Sequence, residues 1–287
     1  MPPKLDQVTL CCIDTDHPAL GLRAIRLSQA QCQFARSVFM APQDFISSQG
    51  APSDPIDFLP IPAFTAAADY SRILTKELLS VFSTSHALVI EWDGYVLSGP
   101  CWEKGFLEFD YIGAVWPNGR EGFRVGNGGF SLRSRRLLQI LARPEIPCSV
   151  PDDRAIGVTL RPMLEKEGIR FADEATAHRF SFESGGLDQP TFGFHGAFNF
   201  CRVLPSDELQ SVLEPLTPRV MSSAPAAHWI KGYAARGRWR EALMVLRKME
   251  SLFDEPRVLE ILSEIADHDI EKAKGARHVI HLKGMKQ

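Results

Sequence analysis

A chain of 287 residues with 45% hydrophobic and 23% charged content is long enough to bury one large core plus an appendage, and too apolar to be a disordered chain. Its net charge of -3 argues against nucleic acid as the main partner. No run of about 18 apolar residues occurs, and the first residues lack a basic stretch followed by an apolar one, so neither a membrane span nor secretion is expected.

Strand and helix signals alternate through the first half. Residues 8–13 read as a short apolar strand, and the polar turn 14–18 suits capping a helix over 19–30. A second strand is expected over 34–40, a Pro-rich loop over 51–62, an amphipathic helix over 70–82 with Ile73, Leu74, Leu78 and Val81 on its apolar side, and another strand over 86–91. This alternation predicts an α/β fold with a mostly parallel, doubly wound sheet, in which ligands sit beyond the carboxyl ends of the strands. Asp14 and Thr15 follow one such strand and Glu91, Trp92 and Asp93 another, so the two acidic turns are expected to converge on one cleft.

Glu91 and Asp93 stand i, i+2 at a strand end. Alternation of side chains along a strand aims both carboxylates at one point, where a hard divalent cation bridging phosphate oxygens is the partner they suit. An isolated Glu-x-Asp is as readily a turn or a helix cap, and what singles this one out is its company. Residues 109–116 read as a strand bordering the cleft. In Gly126-Asn127-Gly128-Gly129, the glycines let a sugar or phosphate rest against main-chain amides, although the stretch has neither the ending of a P-loop nor the spacing of a dinucleotide fingerprint. A helix follows over 134–141, and Arg133, Arg135 and Arg136 form a basic cluster suited to phosphate or an anionic acceptor. Asp152 and Asp153, after Pro151, offer either a general base or caps for a helix starting near Arg154. His195 lies in Gly193-Phe194-His195-Gly196, as a packed histidine or a ligand.

Cys11, Cys12, Cys32, Cys101, Cys148 and Cys201 contain no Cys-x-x-Cys pair and are too sparse for a disulfide scaffold. They read as reduced core thiols of a cytoplasmic protein, with peripheral attachment to a membrane left open. Beyond the Pro-rich segment 215–225, the pattern Trp229-x3-Tyr233-x3-Gly237-x4-Ala242-x3-Leu246 is similar to one tetratricopeptide-type hairpin. A further helix is expected over 257–268, and the basic end 272–286 reads as a mobile tail. These features divide the chain into a main domain over 1–214, a linker over 215–227 and a helical extension over 228–287. The extension is either an appendage or a docking surface for a protein partner.

Four segments taken in order carry a resemblance: His86-Ala-Leu-Val-Ile-Glu-Trp-Asp-Gly-Tyr-Val-Leu97, Phe109-Asp-Tyr-Ile-Gly-Ala114 with Trp116-Pro117, Val125-Gly-Asn-Gly-Gly-Phe-Ser-Leu-Arg-Ser134 and Phe192-Gly-Phe-His195. Over about residues 5–202 the chain resembles an uncharacterised bacterial family, a domain of unknown function related to GT-A-type glycosyltransferases. The resemblance implies a GT-A-like, Rossmann-like mixed sheet flanked by helices. It implies a nucleotide-diphosphate sugar donor, a glycan or other hydroxyl acceptor, Mn2+ or Mg2+, and a place in bacterial polysaccharide or glycan synthesis. The Asp-x-Asp of most GT-A enzymes stands here as Glu91-Trp92-Asp93, which keeps the charge and lengthens one arm. His195 falls where many of them supply a late histidine to the metal or diphosphate, and Asp152 and Asp153 where inverting members place an acidic base. Donor-binding positions are then Asp14, Thr15, Glu91, Trp92, Asp93, Gly128 and Gly129.

The chemistry asks for those residue types. Glycosyl transfer passes through an oxocarbenium-like state, so the departing diphosphate must be neutralised and the acceptor hydroxyl must lose a proton to a carboxylate, here Asp153 or its neighbour Asp152. Two alternatives come from other classes: a non-catalytic nucleotide- or carbohydrate-binding partner module, and a metal-dependent phosphohydrolase on a similar sheet.

Overall fold

The computed structural model describes residues 2–49, 55–184 and 189–263, and the chain divides into two compact units, Met1–His195 and Gly196–Gln287. In chain order the first unit contains β1 (Lys4–Ile13), α1 (Pro18–Gln31), β2 (Gln33–Ala41), α2 (Gln43–Ser48), β3 (Asp57–Pro60), α3 (Ala67–Arg72), β4 (His86–Ile90), β5 (Tyr111–Ile112), β6 (Phe130–Ser134) and α4 (Arg135–Leu141). After these come α5 (Asp152–Arg154), α6 (Arg161–Lys166), α7 (Glu174–Phe180), β7 (Ser181–Phe182) and β8 (Gly193–Phe194).

Six strands form one sheet in the order β3-β2-β1-β4-β6-β5. The β1–β2, β1–β4 and β2–β3 pairs are parallel, whereas β6 runs antiparallel to both β4 and β5. This is a mixed and mostly parallel α/β sheet. Its strands read as continuous apolar runs because both faces are covered. Cys11, Ile13, Val38, Met40, Ala87 and Val89 alternate onto one face, where they pack with Ile73, Leu74 and Leu78 and with Leu137, Leu138 and Leu141 of α4. On α1, a Cβ at Gly21 would stand 3.0 Å from the Phe39 ring, so this glycine lets the helix lie close against the sheet.

Three expected elements differ. Part of the Pro-rich stretch is β3, which pairs only with β2; as an edge strand it tolerates Pro60, because no ladder bond is asked of the missing N–H on the outer side. The expected amphipathic helix is helical but not of one pitch. After α3, whose start is tied by Asp69 accepting from the Thr65 and Ala66 N–H groups (2.9 and 3.0 Å), the chain passes through a π-helical turn, Ile73–Glu77, and a tighter turn, Leu78–Ser80. A second π-helical turn, Ala155–Thr159, follows α5. The strand expected over 109–116 shrinks to Tyr111–Ile112, since beyond it the backbone crosses so near Asn127 that a Cβ on Gly113 would stand 1.9 Å from the Asn127 carbonyl oxygen.

The six cysteines are all free thiols, but Cys148 is exposed and Cys101 half-buried, so the expectation of core thiols holds only for Cys11, Cys12, Cys32 and Cys201. Among the described residues no helix is long and apolar enough to cross a membrane.

The second unit is helical: α8 (Phe200–Val203), α9 (Leu209–Leu213), α10 (Pro218–Met221), α11 (Ala224–Ala234), α12 (Trp239–Leu252) and α13 (Glu255–Ser263). Helices α11 and α12 form the hairpin that the Trp–Tyr–Gly–Ala spacing predicts, with Gly237 between them at φ +68, a left-handed conformation that favours glycine. Trp229, Tyr233, Ala242, Val245 and Met249 are buried, and Trp229 meets Phe200 edge-on at 5.4 Å. The expected linker 215–227 contains α10 and the start of α11. Pro218 and Pro225 sit in the first turns of these helices, where a missing N–H breaks no intrahelical bond, so the prolines start helices rather than interrupt them. The chain divides into its compact units after His195, whereas the expected main domain runs to 214. Residues 264–268 of the last expected helix, and the basic end 272–286, lie outside the described residues.

Candidate functional site

Past the end of β4, the Glu91 N–H still donates to the Gly129 carbonyl (3.0 Å), and the Gly94 N–H then donates to the Glu91 carbonyl (3.1 Å). Residues 91–94 therefore form a turn. Glu91 and Asp93 converge through that turn and not through the strand alternation that their spacing suggests. A second backbone segment is laid beside it: the Leu97 N–H donates to the Phe192 carbonyl (2.9 Å), and β7 and β8 pair in parallel, Ser181 with Gly193 and Phe182 with Phe194. The His195 N–H then donates to the Phe182 carbonyl (2.9 Å).

The result is that Glu91, Asp93 and His195 each offer one ligand atom, all within 4.8 Å of one another. His195 Nε2 lies 3.5 Å from Glu91 Oε2 and 3.5 Å from Asp93 Oδ1. Two carboxylates and an imidazole nitrogen at this spacing fit a divalent cation on ligand arms of about 2.1 Å. Room for the ring comes from glycine: a Cβ on Gly129 would stand 2.1 Å from Nε2, and one on Gly94 3.2 Å from Cδ2. Burial disfavours an imidazolium here, but the Asp93 charge, with hydrogen bonds to Asp93, Glu183 and Glu91, outweighs it and holds the His195 pKa well above its ordinary value. Tyr70 secures the other end of Glu91, donating its hydroxyl hydrogen to Oε1 (2.8 Å). Burial, then the Glu91 charge, pushes the phenol pKa well up, so Tyr70 remains a donor.

The Asp152–Asp153 turn divides its two acids. Asp152 is buried with an oxygen 2.9 Å from Nη2 of Arg133, whose own side chain is fully buried over the Tyr111 ring (5.7 Å) and donates from Nε to Ser131 Oγ (3.0 Å). Asp153 is half-buried and accepts from the Arg154 N–H (2.6 Å). Burial, followed by the adjacent Asp152 charge, raises its pKa above the ordinary carboxylate value. Tyr70 feels the charges of Glu91, Asp152 and Arg133 together, so the acidic turn and the Glu91 cluster share one neighbourhood. Gly128 and Gly129 join them from below. A Cβ on Gly128 would stand 2.8 Å from that of Asp153, so the space these two glycines leave is taken by Asp153 and His195. Neither glycine has a positive φ; close approach is what requires them.

The basic cluster expected at 133–136 does not exist as a surface. Arg133 points inward to Asp152, Arg135 donates to the Leu79 and Phe82 carbonyls, and Arg136 donates to those of Glu167 (2.6 Å) and Gly168 (2.9 Å). Along a strand running into a helix, neighbouring arginines face different neighbours.

The turn after β1 reaches the same place, with the His17 and Trp92 rings 5.8 Å apart. Asp14 is buried; its Oδ1 accepts from the N–H groups of Asp16 (3.0 Å) and His17 (2.7 Å), while Oδ2 has no hydrogen-bond partner among the described residues. Burial pushes the Asp14 pKa up to about 7, the Glu91 charge adding to it and the two N–H bonds opposing. Thr15 Oγ1 accepts from the Phe64 N–H (3.1 Å) and so holds the 61–66 segment. Tyr70, Asn127 and Glu183 are the neighbours that sequence reasoning missed as site residues, and Arg133, expected to face an anion, is instead the buried partner of Asp152.

Residues 55–195 match the family described as Protein of unknown function (DUF5672). The Glu91–Asp93–His195 cluster, Tyr70 and the Asp152–Asp153 turn all fall inside the matched residues, whereas Asp14 and Thr15 lie outside them. No curated protein matches the sequence. Among solved structures the chain is similar to the mannosyltransferase PcManGT from Pyrobaculum calidifontis in complex with GDP-Man and Mn2+, with 10% identity and a TM-score of 0.42 over 91% of this chain and 79% of that one. It is also similar to a glycosyltransferase involved in glycosylation of the major capsid of PBCV-1, with 14% identity and a TM-score of 0.41 over 66% and 92% of the two chains. The bifunctional IspDF from Campylobacter jejuni matches with 10% identity and a TM-score of 0.41 over 58% of this chain, which spans 48% of the length of that protein.

Proposed function

We propose that this protein transfers a sugar from a nucleotide-diphosphate donor to a hydroxyl acceptor, using a divalent cation held by Glu91, Asp93 and His195. The observation that supports the reading most is the convergence of these three ligand atoms within 4.8 Å past the carboxyl end of β4, where doubly wound sheets bind their ligands. When bound, the cation, Mn2+ or Mg2+, supplies positive charge to the departing diphosphate. A nitrogen ligand beside two carboxylates favours Mn2+ of the two. Tyr70 keeps Glu91 turned so that Oε2 faces His195. Asp14, through the oxygen that has no partner among the described residues, takes a hydroxyl of the donor nucleoside, with Thr15 and Trp92 beside it. Gly128 and Gly129 leave the space in which Asp153 and His195 stand.

Asp153 is the general base in this reading. It accepts the proton of the acceptor hydroxyl as that oxygen attacks the sugar, and its raised pKa brings it closer to the working pH of a proton acceptor. Attack from the face opposite the leaving group inverts the anomeric centre. Asp152 is committed to Arg133 and serves to hold the turn.

The test is a panel of nucleotide sugars with and without Mn2+, read first by melting temperature and then by nucleoside-diphosphate release with candidate hydroxyl acceptors. A metal-dependent rise in melting temperature, and release that requires an acceptor, is the expected outcome. Release without any transfer would make the protein a phosphohydrolase, and binding without turnover a nucleotide- or sugar-binding module.

A further inference from the structure

Glu183 follows a two-residue strand and carries no motif, yet the register of that strand sets it beside the candidate metal centre. Because β7 and β8 pair in parallel, Phe182 with Phe194, the next residues in register are Glu183 and His195. Glu183 Oε1 lies 3.1 Å from His195 Nδ1. A carboxylate offers only acceptors, so the hydrogen between them belongs to Nδ1. A cation at Nε2 takes the place of a hydrogen there; with the ring's remaining hydrogen on Nδ1, Nε2 presents its lone pair to the ion, and Nε2 is the nitrogen 3.5 Å from both Glu91 Oε2 and Asp93 Oδ1.

Asn127 fits the same tautomer once its amide is turned. Its Nδ2 lies 3.2 Å from His195 Nδ1, while its Oδ1 is buried without a hydrogen-bond partner among the described residues. Two N–H groups do not bond each other. Turning the amide end for end, which leaves its shape unchanged, puts the oxygen on Nδ1–H and moves the NH2 to the position that has no partner among the described residues.

We infer that Glu183 is a positioning residue for the candidate cation site: it fixes His195 as the Nδ1–H tautomer, with Asn127 as a second acceptor, and so aims Nε2 at the ion. This rests on reading Glu91, Asp93 and His195 as the cation ligands. A carboxylate behind the ring both orients a ligand histidine and makes it more basic, and such partners are worth about 10–100-fold in metal affinity.

The experiment uses the full chain and Mn2+ as the probe, with binding followed by the electron paramagnetic resonance signal of the free ion. Glu183→Ala is expected to weaken Mn2+ binding by about 10–100-fold, and Glu183→Gln, which keeps an acceptor for Nδ1–H but drops the charge, to recover part of the loss. With diamagnetic Mg2+, ring 15N shifts of His195 should report a single Nδ1–H tautomer in the parent and a mixture in Glu183→Ala, a change that a merely structural role would not produce. If the parent binds Mn2+ and His195→Ala loses it, but both Glu183 variants bind like the parent with unchanged ring shifts, the positioning role is overturned and the cation site stands. If the parent takes up no Mn2+, or His195→Ala binds as tightly as the parent, the cation site itself falls and this inference with it. Should Glu183→Ala fail to fold, the near-isosteric Glu183→Gln decides the matter by the same two readouts.

Discussion

Two clusters of charge lie close together in the first unit, and they are built differently. Arg133 and Asp152 meet at 2.9 Å with side chains 0% and 7% exposed, a contact that leaves no room for a third party. Around His195 Nε2, Glu91 and Asp93 stand off at 3.5 Å, with the three side chains between 14% and 30% exposed, the spacing and access that an incoming ion needs. Residue types alone do not separate the two, since each combines carboxylates with a basic group. Distance and burial do: the closed pair holds a turn in place, and the open cluster is a candidate for chemistry.

The largest effect that would test this contrast is at Asp93. Asp93→Ala should abolish Mn2+-dependent binding of a nucleotide sugar while leaving the metal-free melting temperature near that of the parent, because a part-exposed ligand contributes little to the core. Retained binding with an unchanged response to Mn2+ would remove the open cluster from the site. Next comes Asp153→Asn, for which transfer should fall by about two to four orders of magnitude with donor affinity kept. Its neighbour should behave in the opposite sense. Asp152→Asn leaves a buried guanidinium without its counter-charge and should cost about 3–5 kcal/mol in urea unfolding. A stable Asp152→Asn protein with crippled transfer would exchange the roles of the two acids.

The smallest effect is a pH dependence at Asp14, whose pKa burial lifts to about 7. A carboxylate with a raised folded-state pKa binds its proton more tightly folded than unfolded, so its contribution to stability is full at acid pH. That contribution falls as pH rises from the unfolded value of about 3.9, and is lost once pH passes through the folded value. Asp14→Asn, which keeps an acceptor for the Asp16 and His17 N–H groups, should remove this decline. The variant is expected to exceed the parent in stability by about 2–4 kcal/mol at pH 8, with the gap closing towards pH 4. Parallel unfolding curves at the two pH values would show an equal gap if Asp14 were ionised throughout.

How much of this was legible in the sequence depends on whether a residue's role is local. The long apolar strands β1, β2 and β4 and helix α1 declare themselves by period and by flanking turns, and Glu91, Asp93 and His195 stand out through neighbouring glycines and aromatics. The proline-bearing edge strand β3 and the two-residue strands β5, β7 and β8 are too short or too atypical for any period to register. Glu183 is invisible for that reason: only the pairing of β7 with β8 brings it to His195. Tyr70 reads as an ordinary aromatic of an amphipathic helix, and Arg133 as one of three basic residues, because partners contributed by distant parts of the chain leave no trace in local spacing. The sequence offers Gly128 and Gly129 as places where a sugar or phosphate could approach the main chain, whereas the structure sets the side chains of Asp153 and His195 against them.

The two π-helical turns, Ile73–Glu77 and Ala155–Thr159, set the angular phase of the residues that precede them. Each lies just after a residue of the site, Tyr70 in one case and Asp152–Asp153 in the other. A π turn holds one residue more than a regular helical turn, as a single-residue insertion would leave it. Removing one residue from either turn would restore even pitch while swinging everything before it by about 100° about the helix axis. The apolar stripe after the turn would keep its phase, and the phenol or the carboxylates before it would lose theirs. Deletion of Thr75 is therefore expected to give a folded protein in which Tyr70 no longer reaches Glu91, separating the inheritance of the fold from the inheritance of the site.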